Sequence, residues 1–130
     1  MDNKNGIWDR FTAEKYHKSS YKLLISMATL FDREKPVIDF GCGNGYYLSE
    51  LNKLGYMDTL GFEGTIMPYL APNVVNRDLT LHIDYNLKGN VISLEVGEHI
   101  PKEFQEVYTQ NICRHVEKGC HLVTSWAEIG

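Results

Sequence analysis

The 130-residue chain lacks several features that would define its class at once. No apolar run approaches the roughly 20 residues of a membrane span, and the polar start MDNKN has no signal-peptide core. Cys42, Cys113 and Cys120 show no disulfide spacing, which favours reduced thiols and a cytoplasmic location. A net charge of −4 gives no basic footprint for nucleic acid. We therefore expect one domain that acts on a small molecule, without a membrane or nucleic-acid partner.

The most informative stretch is 37–45, which reads VIDFGCGNG. A short apolar run typical of a strand precedes three glycines in five positions, and a helical pattern begins at Tyr46. Glycine permits positive φ and a close backbone approach to a ligand. The N–H groups at a helix start attract polar or anionic oxygens. This strand, turn and helix start therefore predict a nucleotide cradle.

The details of the turn separate three kinds of cradle. A P-loop would need Gly-Lys-Ser/Thr, which is absent. A dinucleotide fingerprint would need a glycine or alanine at position 46, where Tyr46 stands. Asp39, at the strand end, would repel a pyrophosphate but suits an ammonium group. The pattern D-x-G-x-G-x-G resembles the first motif of the class I S-adenosylmethionine-dependent methyltransferases, and the resemblance implies S-adenosylmethionine as cofactor.

Glu63 supports an adenosine ligand. It ends the strand-like run 59–63, and the end of a second strand lies beside the first glycine turn of a βαβ unit. A carboxylate there can accept two hydrogen bonds from a ribose diol. An NAD enzyme would share this residue, so the choice between the two ligands depends on Asp39.

The order of predicted elements indicates the fold. Helical spacing appears in 8–31, 46–54, 64–70 and 104–116, and strand character in 36–40, 58–63, 73–76, 90–95 and 120–126. This alternation predicts an α/β fold with a doubly wound, mainly parallel sheet. Family members usually add a helix and two more strands, so the chain resembles about two-thirds of the domain. We expect 1–35 to be an N-terminal helical segment and 36–130 the cofactor-binding domain.

The N-terminal segment is a candidate lid. In the resembled family a helix before the first strand often lies over the cofactor, which would bring Trp8, Phe11, Tyr16 and His17 to the site. Packing of these side chains against the sheet is the open alternative.

A second motif, LEVGEHI at 94–100, follows the fourth strand. It resembles the corresponding segment in the small-molecule branch of the family. His99 is the candidate catalytic base; alternatively, it bonds to backbone at a helix start or packs under the turn. Of Glu95 and Glu98, one could touch cofactor or substrate while the other is a favourable anion at a helix N-terminus.

The resemblance implies a set of cofactor-binding residues along the strand ends. Asp78 and the Leu79 backbone match the place that contacts the adenine amino group, although Asp78 could instead cap its own turn. A metal site is not expected, because Cys113, His115, Cys120 and His121 do not converge. The full predicted set is Asp39, Gly41, Cys42, Gly43, Gly45, Glu63, Gly64, Asp78, Leu79 and Glu95.

The predicted function is methyl transfer from S-adenosylmethionine to a small-molecule acceptor. The Asn/Asp-Pro-Pro-Tyr motif of amino-methylating nucleic-acid enzymes is absent at strand four. Two alternatives stay open: a non-catalytic or truncated S-adenosylmethionine-binding module, and an NAD-dependent oxidoreductase, which Tyr46 and Asp39 disfavour. A homo-oligomer that completes the sheet is a further expectation.

Overall fold

A computed structural model describes residues 21–65 and 73–125. This part of the chain contains three α-helices and five strands, with two short 3₁₀ helices before the last α-helix. In chain order they are α1 (Tyr21–Leu30), β1 (Val37–Phe40), α2 (Tyr46–Lys53), β2 (Thr59–Glu63), β3 (Val74–Asn76), β4 (Asn90–Ser93), the 3₁₀ helices Gly97–His99 and Lys102–Phe104, α3 (Gln105–His115) and β5 (Leu122–Thr124).

The five strands form one parallel sheet in the order β3-β2-β1-β4-β5. In register, Asp39 of β1 lies opposite Gly61 of β2 and Ile92 of β4. Every strand therefore ends at the same edge. The chain order reverses between β1 and β4, which is where open α/β sheets bind their ligands.

Helices cover both faces of the sheet, because side chains alternate along each strand. Val37 and Ile92 pack with α1 and α2 in one apolar cluster, whereas Ile38 and Val91 pack with α3 in another. β1 and β4 are buried at every position. Burial of whole strands is expected for a parallel sheet covered on both faces, although β1 includes Asp39 and β4 includes Asn90 and Ser93.

The predicted doubly wound fold is confirmed, and the predicted strands and the helices predicted at 46–54 and 104–116 appear with ends that differ by a few residues. Helix α1 lies within the helical stretch predicted at 8–31. The fourth strand is shorter than predicted because the chain turns at Glu95, which adopts a positive φ of 55°. The candidate lid (8–17) lies outside the described residues, as does the predicted helix at 64–70 beyond residue 65. None of the described helices is long and apolar enough to cross a membrane.

Residues 77–89 connect β3 to β4 without a helix and are tied to α3 by side chains. Asn111 accepts a hydrogen bond from the Ile83 N–H (2.9 Å) and donates one to the Leu81 carbonyl (2.7 Å). Buried His115 receives the Tyr85 N–H on Nε2 (3.2 Å), while its Nδ1 lies 2.7 Å from the Asn111 carbonyl. The two side chains take the place of backbone partners that a helix would have supplied.

Asn90, the first residue of β4, ties the α1–β1 connection to the sheet. Its Oδ1 accepts the Asp32 N–H (3.1 Å), and its Nδ2 donates to the carbonyls of Asp32 (2.9 Å) and Pro36 (3.2 Å). The side chain is fully buried, with all three hydrogen bonds made to backbone. The connection that leads into β1 is therefore positioned by a residue 54 to 58 positions away.

Candidate active site

The turn after β1 has the geometry of a cradle. Gly41, Gly43 and Gly45 adopt φ values of 87°, 59° and 83°, a region that L side chains rarely occupy. The N–H groups of Gly41 and Cys42 both donate to the Phe62 carbonyl, at 2.8 and 3.2 Å. The turn is thus fixed to the end of β2, and α2 begins directly after Gly45.

Two glycines allow the elements around the turn to approach closely. A Cβ at Gly41 would collide with the Val96 side chain, which comes from the segment after β4. A Cβ at Gly61 would lie 2.6 Å from Cys42 Sγ and 2.8 Å from Leu48 Cδ1. The ends of β1, β2 and β4 are therefore packed together at one place, and Gly61 of β2 provides the close contact between helix and strand.

Glu63 is buried and ties two segments together. Its Oε1 accepts the Gly43 N–H at 2.7 Å, and its Oε2 accepts the Thr65 N–H at 2.8 Å. A carboxylate has about four lone-pair positions, so each oxygen keeps one for a further donor. The carboxylate is held in place by backbone while retaining capacity for a ligand diol.

Asp39 is buried beside Glu63. Burial raises the pKa of the Asp39 carboxyl well above its ordinary value, and the negative charge of Glu63 raises it further. Among the described residues, no lysine or arginine forms an ion pair with either carboxylate. Two close acids without a cation of their own form a site that favours a positively charged ligand.

Cys42 contributes backbone to the turn and little reactivity. Its thiol is 1% exposed. Burial raises the pKa of the Cys42 thiol, and the charges of Asp39 and Glu63 raise it further. The neutral thiol is therefore favoured, which disfavours a nucleophilic role.

The segment after β4 brings the second motif to the same edge of the sheet. Glu95 is exposed, and its N–H donates to Ser125 Oγ (2.8 Å). Glu98 and His99 lie in the 3₁₀ helix that follows, with Glu98 Oε2 4.0 Å from His99 Nε2. The Glu98 side chain is only 3% exposed, and its Oε1 is buried with no hydrogen-bond partner.

Tyr108 of α3 contacts the end of β4. Its hydroxyl lies 2.5 Å from Ser93 Oγ, which donates to the Phe40 carbonyl at 2.8 Å. Burial raises the pKa of Tyr108 to about 12, although the Ser93 hydrogen bond lowers it, and the charges of Glu98 and Asp39 add to the increase. Glu98 therefore lies close enough to the strand ends for its charge to act there.

The predicted adenine contacts lie at the end of β3. Asp78 Oδ1 accepts hydrogen bonds from the Thr80 N–H (2.9 Å) and the Thr80 hydroxyl (2.7 Å), so this carboxylate does cap its own turn. The Leu79 side chain is buried in the core and leaves only its backbone to a ligand. Gly64 lies within the short span that Glu63 closes onto Thr65.

The structure thus brings most of the predicted residues to the carboxyl edge of β1, β2 and β4, with Asp78 and Leu79 farther out along β3. No cluster of metal-ligating side chains occurs within 21–65 and 73–125. Sequence reasoning missed Val96, Ser93, Thr65 and Tyr108. Their roles depend on tertiary packing, and only the helical spacing of Tyr108 gave a signal.

A family model described as a methyltransferase domain matches residues 10–127. The chain belongs to this family. Membership confirms the resemblance drawn from the glycine turn and, with it, S-adenosylmethionine as the cofactor expected for such a domain.

Two tRNA U34 carboxymethyltransferases are similar to this chain over part of their length. A tRNA U34 carboxymethyltransferase from Nautilia profundicola is 29% identical over 84 residues, which cover 62% of this chain and 26% of that protein. One from Campylobacter hominis is 28% identical over 81 residues, covering 62% and 27%. The chain therefore spans about a quarter of these curated relatives.

Solved structures share the fold. DesVI from Streptomyces venezuelae superposes with a TM-score of 0.63 at 21% identity, covering 80% of this chain and 49% of that one. The DhpI–SAH complex superposes with a TM-score of 0.55 at 17% identity, covering 88% and 64%. At these identities the similarity establishes the methyltransferase fold.

Proposed function

We propose that this domain binds S-adenosylmethionine at the ends of β1 and β2 and that its methyl group passes to a small-molecule acceptor beside the segment after β4. The observation that carries the proposal is the buried pair Asp39 and Glu63, which no lysine or arginine of the described chain neutralises. Buried carboxylates need a compensating positive group. The ammonium of the cofactor's amino-acid end meets that need.

Each part of the cradle has a role that its geometry supports. Asp39 would attract the ammonium, and the backbone of 41–45 would follow the amino-acid end without side chains in the way. Glu63, already oriented by two backbone N–H groups, would accept the ribose hydroxyls. The backbone near Leu79, and Asp78 with its remaining lone pairs, would face the adenine.

The cofactor supplies an electrophilic methyl group on a sulfonium. The task of the protein is then to hold the acceptor in line and to remove its proton, and positioning alone contributes much of such a rate. His99, with a side chain about a quarter exposed (24%), is the described group best placed to take a proton. Glu95, two residues beyond the end of β4, is exposed.

A small acceptor fits the charge of the site better than a nucleic acid does. The strand ends carry Asp39, Glu63, Glu95 and Glu98, which would repel a phosphate backbone. A tRNA acceptor is the second candidate, because the curated relatives are named for tRNA. Transfer of labelled methyl to purified total tRNA and to small-molecule pools measures both directly. All three cysteines are free thiols, which supports the predicted cytoplasmic location.

The first experiment is calorimetric titration of the protein with S-adenosylhomocysteine. We expect saturable binding that Glu63→Gln weakens at least tenfold, because one oxygen that serves the ribose and a backbone N–H is lost. Glu103→Gln removes an equal charge from an exposed position and should bind normally. NADH serves as the competing ligand.

Tight binding of NADH with no binding of S-adenosylhomocysteine would contradict the cofactor assignment for this chain. Binding without methyl transfer to either acceptor pool would favour a non-catalytic module. Melting curves of both variants, recorded alongside, separate loss of binding from loss of folding.

A further inference from the structure

Among the residues that the structure describes, Glu98 is a buried carboxylate at the strand ends that the cofactor does not account for. Its side chain is 3% exposed, Oε1 has no hydrogen-bond donor, and Oε2 faces His99 at 4.0 Å. The 3₁₀ helix that carries it follows Val96, whose side chain covers Gly41 of the cradle. An unpartnered buried carboxylate is therefore present next to the transfer site.

The charges at this edge do not balance when the cofactor alone is added. Asp39, Glu63 and Glu98 contribute three buried carboxyl groups, and within 21–65 and 73–125 none of them is paired with lysine or arginine. S-adenosylmethionine carries an ammonium, a sulfonium and a carboxylate, which is one net positive charge. Because buried charges are normally paired, the remaining negative charge favours a second cation.

We propose that the methyl acceptor is a protonated amine and that Glu98 recognises its positive charge beside His99. This inference rests on the proposed function, since it names the substrate class of the same site. A positive charge need not touch Glu98 to be stabilised by it, because water screens the attraction between opposite charges less in a partly buried site than in solution. His99, the more exposed neighbour, is the group that such an amine would contact.

The reaction balances with these residues. His99 takes one proton from the bound ammonium, which leaves a neutral amine with a free lone pair. The nitrogen lone pair forms a bond to the methyl carbon, and the carbon–sulfur bond breaks with its electron pair remaining on sulfur. The products are a methylated ammonium, the neutral thioether S-adenosylhomocysteine and protonated His99, which releases its proton to solvent. Glu98 stays negative throughout and stabilises the positive charge as it moves from ammonium to imidazolium.

The test compares matched pairs of probes that differ in charge alone. The protein is first saturated with S-adenosylhomocysteine and then titrated with cyclohexylamine or cyclohexanol, and with benzylamine or benzyl alcohol. We expect each amine to bind about tenfold more tightly than its alcohol, the ratio that a net 1.4 kcal/mol gives. Glu98→Gln should reduce the ratio to near one, whereas Glu103→Gln should leave it unchanged.

Equal binding of amine and alcohol by the wild-type complex overturns the proposal. The absence of binding by either probe, at about 10 mM probe and 50-fold above the protein concentration, also overturns it. So does a preference for amines that survives Glu98→Gln. The wild-type comparison needs no variant, so it decides the matter even where Glu98→Gln folds poorly. Failure of the first step, saturation by S-adenosylhomocysteine, counts against the proposed function instead.

Discussion

Two buried glutamates at the same edge of the sheet differ in the hydrogen-bond donors that the fold provides to their carboxylates. Glu63 accepts one backbone N–H on each oxygen, at 2.7 and 2.8 Å. Glu98 is buried to a similar degree, yet its Oε1 has no donor and its Oε2 lies 4.0 Å from His99 Nε2. The first carboxylate is part of the scaffold and is ready before a ligand arrives. The second is stabilised by little that the described chain provides.

The difference teaches how one site can combine rigidity with selectivity. A cofactor that is common to a whole family can be bound by groups that backbone hydrogen bonds hold in a fixed position. In the proposal above, an acceptor that varies between relatives is recognised by side chains whose charged partner is part of the substrate itself. Four experiments test whether the two ends of the site differ in this way.

We expect the largest effect for Gly41→Ala, which disrupts the contact between the turn after β1 and the segment after β4. A Cβ there meets Val96, and the φ of 87° is strained for alanine. We expect the free energy of unfolding to fall by about 2–4 kcal/mol, from strain and overpacking together. Chemical denaturation measures it. Gly119→Ala is the matched control, because its φ is 90° but nothing lies within 4 Å. Equal losses in both variants would show that the Val96 contact contributes nothing.

The second experiment compares the same substitution at the two glutamates. Glu63→Gln places an amide NH₂ against a backbone N–H, so we expect a loss of about 1–3 kcal/mol in the free energy of unfolding. Glu98→Gln breaks no hydrogen bond and removes a buried charge, so its effect should lie within about 1 kcal/mol of zero. Urea denaturation of both variants gives the comparison. A larger loss at Glu98 would mean that this glutamate is also part of the scaffold.

Tyr108→Phe tests the hydrogen bond between Tyr108 and Ser93 at the end of β4. The substitution removes the hydroxyl 2.5 Å from Ser93 Oγ but leaves Ser93 bonded to the Phe40 carbonyl. We therefore expect a loss of about 0.5–1.5 kcal/mol in the free energy of unfolding, without loss of S-adenosylhomocysteine binding. Tyr21→Phe, at an exposed position, is the control for the same loss of a hydroxyl. An unchanged stability would show that the pair contributes nothing net.

The smallest effect is a proton released on binding. Burial and the charge of Glu63 raise the pKa of Asp39 in the free protein. Its contribution to stability is therefore complete below the ordinary aspartate pKa and is lost as the pH rises through the raised value. A ligand ammonium favours the charged form, so affinity for S-adenosylhomocysteine should rise with pH over the same window.

Calorimetry in buffers of different ionisation enthalpy counts the protons released with the ligand. Asp39→Asn should abolish the release, and Asp58→Asn, at an exposed position, should preserve it. Binding without proton release at mildly acidic pH would mean that Asp39 is charged before the ligand arrives.

The sequence was sufficient to predict the fold and to place the glycine turn and Glu63 at the same edge of the sheet. Strand patterns, the three glycines at 41–45 and Glu63 at a strand end are local signals, and a parallel sheet brings strand ends together by its topology alone. The close approach at Gly61 and the partners of Glu63 were not predictable, because they depend on which segments meet in space.

The β4 end was harder to predict for the same reason. The motif at 94–100 indicates Glu98 and His99 as candidates, but nothing in it shows that Glu98 is buried or lacks a donor. Residues 81–89 gave no recognisable pattern, since their hydrogen bonds go to Asn111 and His115 some 30 residues later. Residues whose partners are distant in the chain carry no periodic signal.

Asn90 has a consequence for the order of events in folding. Its side chain bonds to the backbone of Asp32 and Pro36, which are 58 and 54 positions away. Closing so long a loop costs entropy before any contact compensates for it. The hydrogen bonds of Asn90 to the connection between α1 and β1 can therefore form only once β4 has docked beside β1. During synthesis these hydrogen bonds can form only after a strand about fifty residues farther along the chain has been made.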